Sequence, residues 1–175
     1  VSHTLSRIYV IRTGTSPHRG ILRAGHLLFP VALGRAGISS CKREGDGATP
    51  RGPLSLRGLW VRLDRVRRPE TALPLRRTRP NDLWCDAPGD RNYNRAVSVP
   101  YAASHEDMWR QDGLYDYVIE LGWNDRPRMQ GRGSAIFMHL ARPGFEPTSG
   151  CVALRRRDME RLLPFLGTET RLIVR

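Results

Sequence analysis

The sequence is short of lysine, of cysteine and of long apolar runs, and each shortage removes a class of function. Lys42 is the one lysine among 29 basic residues, so the net charge of +12 is carried almost wholly by arginine. Guanidinium groups in such excess invite an anionic partner, nucleic acid or a carboxylate-rich wall polymer, or else form a solvated basic surface. The three cysteines, Cys41, Cys85 and Cys151, include no C-x-x-C pair and no histidine at finger spacing, which argues against a zinc site and a full disulfide framework. Cys41 and Cys85 both fall in loop segments, so theirs is the bridge left open if Cys151 has another task. No run of eighteen apolar residues occurs, and no membrane-spanning helix is expected. No G-x-x-x-x-G-K-[ST] pattern is present, which removes a phosphate-binding loop. His3, His18, His26 and His105 lack ligand-spaced companions.

What the chain does have is turn chemistry. Seventeen glycines and thirteen prolines against an apolar fraction of 39% point to short strands and many turns rather than a helical bundle. Its 175 residues suit one domain, residues 1–175, with a substantial core. The segments "RIYVI" (7–11) and "GHLLFPVAL" (25–33) read as strands, the second interrupted or ended by Pro30. Residues 34–56 read as one long glycine-rich loop, a length that in compact domains usually serves function. "LWVRLDRV" alternates like a half-buried strand, and residues 67–94 show no regular element. "HEDMWRQDG" (105–113) reads as a short helix capped by Ser104. "YDYVIELGW" and "SAIFMHL" are the clearest strands, "RRRDMERLLPFL" has helical spacing at Met159, Leu162 and Leu163, and "RLIVR" closes as a strand. The expected class is mostly β with short helices, a sandwich or open barrel.

One stretch carries chemistry: "SAIFMHLARPGFEPTSGCVAL" sets His139 at the end of an apolar strand and Cys151 behind a turn framed by Gly150. A histidine within hydrogen-bond reach makes a cysteine nucleophilic, and amides around Gly150 and Cys151 are placed to face a developing oxyanion. A helix or turn beginning at Val152 would lower the thiol pKa further. The competing explanation is a buried structural cysteine with an unrelated histidine. Tyr93, Trp84, Trp109, Tyr115 and Trp123 are candidates to line a peptide groove, some of them belonging to the core. Lys42, Glu44 and Asp46 read as a turn in which Gly45 and Gly47 take positive φ and Asp46 bonds the backbone.

The motifs "IFMH" and "PTSGCVAL" resemble the active-site signature of the YkuD-type L,D-transpeptidases of bacterial cell walls. The loop with Lys42, Gly45, Asp46, Gly47, Thr49, Pro50 and Gly52 is similar to that family's K-x-G-D-G-x-T-P-x-G segment, and "WCD", "YNR", "MWRQDGLYDYVI" and "GRGSAIFMH" resemble one branch of it. The resemblance implies a YkuD-like β-sandwich or open barrel with Cys151 as nucleophile and His139 as base. Leu140 would orient the imidazole through its carbonyl, and amides near Gly150 and Cys151 would form the oxyanion hole. It further implies cysteine acyl transfer without metal or organic cofactor, from the diaminopimelate–D-alanine bond of a tetrapeptide stem to an amine of a second stem. Peptidoglycan stem peptides are the expected partners and carbapenem-type inhibitors possible ones; no nucleic acid is expected. A monomer in the periplasm or cell envelope is expected, although no signal segment is visible in this chain.

The chain departs from the better-known members at two positions, with Ser149 where they carry histidine and Ala153 where they carry arginine. Substrate contacts are therefore expected from Ser149, Tyr93, Asn94, Arg95, Arg110 and Ser134, with Arg132, Arg155 and Arg156 as further arginine candidates. Hydrolysis of the same thioester, giving a carboxypeptidase or endopeptidase, is an alternative. A basic binding module for nucleic acid or wall polymer is the alternative of another class.

Overall fold

Alternating apolar residues turn one face of each strand inward, and eight such strands close on themselves. The computed structural model describes residues 4–175, so His3 lies outside the described residues. Strands β1 (Arg7–Arg12), β2 (Arg19–Ala24) and β3 (Leu27–Ala32) form an antiparallel meander. The two-residue strands β4 (Ile38–Ser39) and β5 (Thr49–Pro50) pair across the glycine-rich loop, which leads into the long β6 (Gly52–Val61). A short β7 (Leu75–Arg77) adds to β6. Strands β8 (Asp82–Cys85), β9 (Arg95–Ser98) and β10 (His105–Asp107) make a separate sheet in the order β10-β8-β9. Then come β11 (Tyr117–Gly122), β12 (Phe137–Leu140), β13 (Val152–Leu154), helix α1 (Arg156–Leu162) and β14 (Arg171–Val174). The large sheet runs β11-β12-β13-β3-β2-β1-β14-β6 and returns from β6 to β11, closing an eight-stranded barrel. With 39% strand and 8% helix, the chain is mostly β, as its turn-rich composition predicts.

A bulge in β6 lets one strand serve the whole barrel wall. Glu120 faces Gly58 and Leu121 faces Leu56, which leaves Arg57 as the extra residue. The extra residue inverts side-chain parity, so Leu54 and Leu56 before it and Leu59 and Val61 after it all join the barrel core. That core also takes Ile8, Val10, Leu22, Phe29, Ile119, Met138, Leu140, Val152 and Leu154, together with Met159, Leu162 and Leu163 around α1. A second, smaller cluster lies on the outside of the barrel, where Trp60, Val118, Phe137 and Cys151 meet Trp84 and Met108 of the small-sheet segment. Trp84 packs edge-on to Phe137 at 5.1 Å and to Trp60 at 6.3 Å. Such pairs contribute about 0.5–1.5 kcal/mol each beyond area burial. They fasten the small sheet to the barrel wall, with Cys151 at the border of the contact.

Several elements differ from the sequence expectations. Pro30 neither ends nor interrupts β3; β13 pairs only with Val31 and Ala32, so no neighbour on that edge asks for the amide that proline lacks. The strand β2 was not expected, and the long loop ends at Arg51, not at residue 56. "LWVRLDRV" is strand only to Val61 and is buried on both faces, since Trp60 lies under the small sheet. Arg62, 2% exposed, stacks 3.4 Å over the Trp109 ring, grips Asp64 with two hydrogen bonds and donates to the Arg110 carbonyl at 2.7 Å. Residues 67–94 contain β7 and β8. Residues 105–113 are not a helix: the first three pair with β8, and the Asp107 and Asp112 side chains accept the amides of Trp109 and Leu114, closing turns that compete with helical bonding. Cys41 and Cys85 are both free thiols. Among the described residues no helix is long and apolar enough to cross a membrane.

Candidate active site

Strands β12 and β13 lie side by side and parallel, with His139 opposite Ala153 and Met138 opposite Val152. Paired residues of a parallel ladder project to the same side, so Cys151, two residues before Ala153, shares the outer face with His139 and Phe137. The inner-face residues Met138, Leu140, Val152 and Leu154 belong to the barrel core. Burial of one face thus fixes the register that sets the cysteine beside the histidine.

The turn before the cysteine is stapled on both sides. Thr148 donates its amide to the Leu33 carbonyl at 2.9 Å and accepts the Arg35 amide on its own carbonyl at 3.0 Å. Its hydroxyl donates to the Cys151 carbonyl at 2.7 Å and accepts the Gly150 amide at 3.1 Å. Beneath it runs the glycine-rich loop: Gly45 and Gly47 have φ of 72° and 67°, and the Asp46 carboxylate accepts the amides of Arg43 and Ala48 and pairs with Lys42. The sequence predicted that turn. Its purpose is proximity, because a Cβ at Gly34 would lie 2.3 Å from the Gly47 carbonyl oxygen, and one at Gly150 would lie 2.8 Å from that of Ala48. With φ at 139°, Gly150 also occupies backbone space that other residues rarely enter. Gly150→Ala is therefore expected to cost about 1–3 kcal/mol in strain alone, read as a lower denaturant midpoint.

Cys151 is 8% exposed, and its sulfur donates to the Ala135 carbonyl at 3.3 Å and accepts the Phe137 amide at 3.4 Å. Burial, and secondarily the charge of Glu106, pushes the thiol up to about 12. The expected helix start after the cysteine is absent, since Val152–Leu154 is a strand and no helix dipole opposes that rise. His139 is equally enclosed, and burial, aided by the charges of Arg110 and Arg142, pulls its imidazole down to about 4. Its Nδ1 lies 2.9 Å from the Leu140 carbonyl oxygen. A carbonyl only accepts, so Nδ1 carries the hydrogen and Nε2 presents its lone pair. Thiol and imidazole are thus both neutral at neutral pH, and the site holds no preformed ion pair. The Tyr115 ring backs the imidazole at 5.2 Å, and the guanidinium of Arg110 covers the Tyr115 ring at 4.9 Å.

Two clefts meet at Cys151. The first, about 190 Å³, holds both Cys151 and His139 and is walled by Arg110, Arg142, Tyr115 and Ser149. The second, about 220 Å³, reaches Cys151 past Lys42, Glu44, Asp86 and Ser134. Ser149 and Glu106 border both. Of the sequence candidates, Cys151, His139, Ser149, Arg110 and Ser134 thus converge, and the Leu140 carbonyl bonds the imidazole. Tyr93 and Asn94 line neither cleft. The Tyr93 hydroxyl donates to Glu44 and accepts the Gly133 amide, and Asn94 spends its side chain on four internal hydrogen bonds. Arg95 faces a separate cleft with Arg57, Arg76 and Arg128. Arg132 borders another beside Trp123, while Arg155 and Arg156 are ion-paired to Asp158 and Asp116. Arg142, Thr148 and Glu106 were missed by sequence reasoning; the first two lie within the "HLARPGFEPTSGC" stretch, whereas nothing local marks Glu106.

Among the described residues, no group of three or more histidine, cysteine or acidic side chains is placed to hold a metal ion. The family model for the L,D-transpeptidase catalytic domain, YkuD, matches residues 7–174. No curated protein and no solved structure gives a match.

Proposed function

Because the chain belongs to the YkuD family of L,D-transpeptidase catalytic domains, we propose that Cys151 and His139 carry out acyl transfer between peptidoglycan stem peptides. The observation that carries this is the imidazole anchored through Nδ1 to Leu140 and opening on the same cleft as the buried thiol. As the sulfur attacks the carbonyl of diaminopimelate in a tetrapeptide stem, its proton passes to His139 Nε2. The tetrahedral adduct forms, the bond to D-alanine breaks, and the imidazolium returns the proton to the departing amine. A thioester remains on Cys151.

The Gly150 amide is engaged by the Thr148 hydroxyl, so the proposed oxyanion contact rests first on the Cys151 amide. Arg142, held among the described residues only by long 3.9 Å contacts to Asp112 and Glu146, is available to a carboxylate of the donor stem. It takes the part expected of the arginine that Ala153 replaces. A second approach to the same sulfur supports transfer to an amine of another stem, and the cell envelope is the proposed location because that is where both stems are found.

The test is intact-protein and peptide mass spectrometry after incubation with purified disaccharide tetrapeptide. The expected result is an acyl adduct on the Cys151 peptide, release of D-alanine, and a dimeric product whose fragmentation names the acceptor amine. None of these is expected in Cys151→Ala. Shortened monomer without dimer would move the assignment to hydrolysis, and absence of any adduct, with a carbapenem also failing to label the thiol, would remove the acyl-transfer assignment.

A further inference from the structure

Glu106 lies on β10 of the small sheet, distant in sequence from both reacting residues, yet it borders both clefts that meet at Cys151. Its Oε2 accepts a hydrogen bond of 2.9 Å from the Tyr115 hydroxyl, and Tyr115 is the ring that backs His139. The carboxylate is therefore held at the junction by a residue that packs against the imidazole.

The two clefts differ in charge. In the one that contains His139, Arg110, paired with Asp112, and Arg142 are balanced by Glu106 and Glu146. The other has Glu44, Asp86 and Glu106 against Lys42 and Arg35. Lys42 is paired with Asp46 at 2.5 Å, while Glu44 is met by the neutral hydroxyls of Tyr93 and Ser134. Oδ1 of Asp86 is buried and has no hydrogen-bond partner among the described residues. Such a wall suits an entering cation better than a second carboxylate.

Resting on the acyl-transfer reading above, the geometry points to Glu106 as the base that deprotonates the acceptor ammonium as it reaches the thioester from the second cleft. The problem it solves is general, since a primary amine is protonated at neutral pH and has no lone pair to attack with. The ammonium gives one proton to the Glu106 carboxylate, and the freed lone pair bonds to the thioester carbonyl carbon. The carbon–sulfur bond breaks, and the second nitrogen proton passes to the departing sulfur by way of His139 Nε2. An amide replaces the thioester, Cys151 returns as a thiol, and Glu106 yields its proton to solvent. Burial, with the nearby charges of Asp86 and Glu44, raises the carboxyl pKa against the opposing hydrogen bond from Tyr115 and the charge of Arg110. That direction strengthens a proton acceptor.

Glu106→Gln separates this role from a structural one, because the amide oxygen still accepts from Tyr115 while its proton affinity is gone. With disaccharide tetrapeptide as donor and acceptor, dimer formation is expected to fall about 100-fold and the Cys151 acyl adduct to accumulate. Hydroxylamine is largely unprotonated at neutral pH and needs no base, so it is expected to capture the adduct from wild type and variant at comparable rates. Dimer formation within threefold of wild type would overturn the assignment. So would a fall in dimer without accumulated adduct, or loss of hydroxylamine capture in a variant whose near-ultraviolet circular dichroism is native. A wild-type protein that acquires no adduct at all would overturn the acyl-transfer reading itself, and this inference with it.

Discussion

His139→Ala is expected to slow acylation of Cys151 by about a thousandfold, within the range that a positioned acid–base group supplies. The size follows from the thiol. With its pKa pushed up to about 12, almost none of the thiol is ionised at neutral pH, so the proposed acyl transfer depends on a base that removes the proton during attack. His139 has that capacity because the Leu140 carbonyl fixes the tautomer and leaves Nε2 free. The same burial that raises the thiol lowers the imidazole, to about 4. A base with a depressed pKa stays neutral, and active, as acidity increases. The profile of kcat/KM for the acyl donor, which reports acylation alone and not the later transfer, is accordingly expected to hold down to about pH 5 and to lose activity through pH 4. An acidic limb at the ordinary histidine value near 6.5 would show that His139 meets solvent in the free protein. An His139→Ala variant within tenfold of wild type would exclude it as the base.

Asn94→Ala is expected to cost about 4 kcal/mol of stability, at the upper end for single substitutions. Asn94 is 4% exposed and has a φ of 56°. Its Oδ1 accepts from Trp84 Nε1 and the Ala135 amide, both at 3.1 Å, and its Nδ2 donates to the carbonyls of Trp123 and Asn124 at 3.0 and 2.9 Å. Removing the side chain strands four groups in a buried setting, each worth roughly 1 kcal/mol net and more where no water replaces the partner. Alanine also tolerates the left-handed backbone less well than asparagine. Urea unfolding measures the loss. The outcome separates two roles, since a substrate contact would leave stability unchanged and raise KM. The structure favours the first role, because Asn94 holds Ala135, whose carbonyl receives the hydrogen of the Cys151 thiol.

His139, Leu140, Ser149, Gly150 and Cys151 were legible in the sequence because they lie on two neighbouring strands and the short connection between them, and because glycine beside a cysteine is a local mark. The Asp46 turn was legible for the same reason. Glu106 was not: it comes to border the two clefts at Cys151 through the pairing of β10 with β8 and the aromatic contacts that fasten β8 to the barrel. Its own neighbours read as a short helix capped by Ser104, where Asp107 and Asp112 instead close turns. Tyr93 and Asn94 were read as substrate contacts on chemical type alone, and nothing in one sequence says whether a polar side chain faces inward or out. Arg95 was misplaced likewise, since its strand turns it to another cleft. The barrel was legible as a set of strands, but its closure depends on the bulge at Arg57, which inverts the alternation that strand assignment relies on.

The parallel pairing of β12 with β13 has a consequence for how this protein diversifies. Reactive geometry is set by the barrel, while the chain from Ala141 to Pro147 that connects the two strands contributes Arg142, Glu146 and Pro147 to the wall of the first cleft. Chemistry and selectivity are thereby written in separate parts of one short stretch. On the proposed acyl-transfer reading, exchange or lengthening of the connecting residues changes which stem is accepted without disturbing the register that holds Cys151 beside His139.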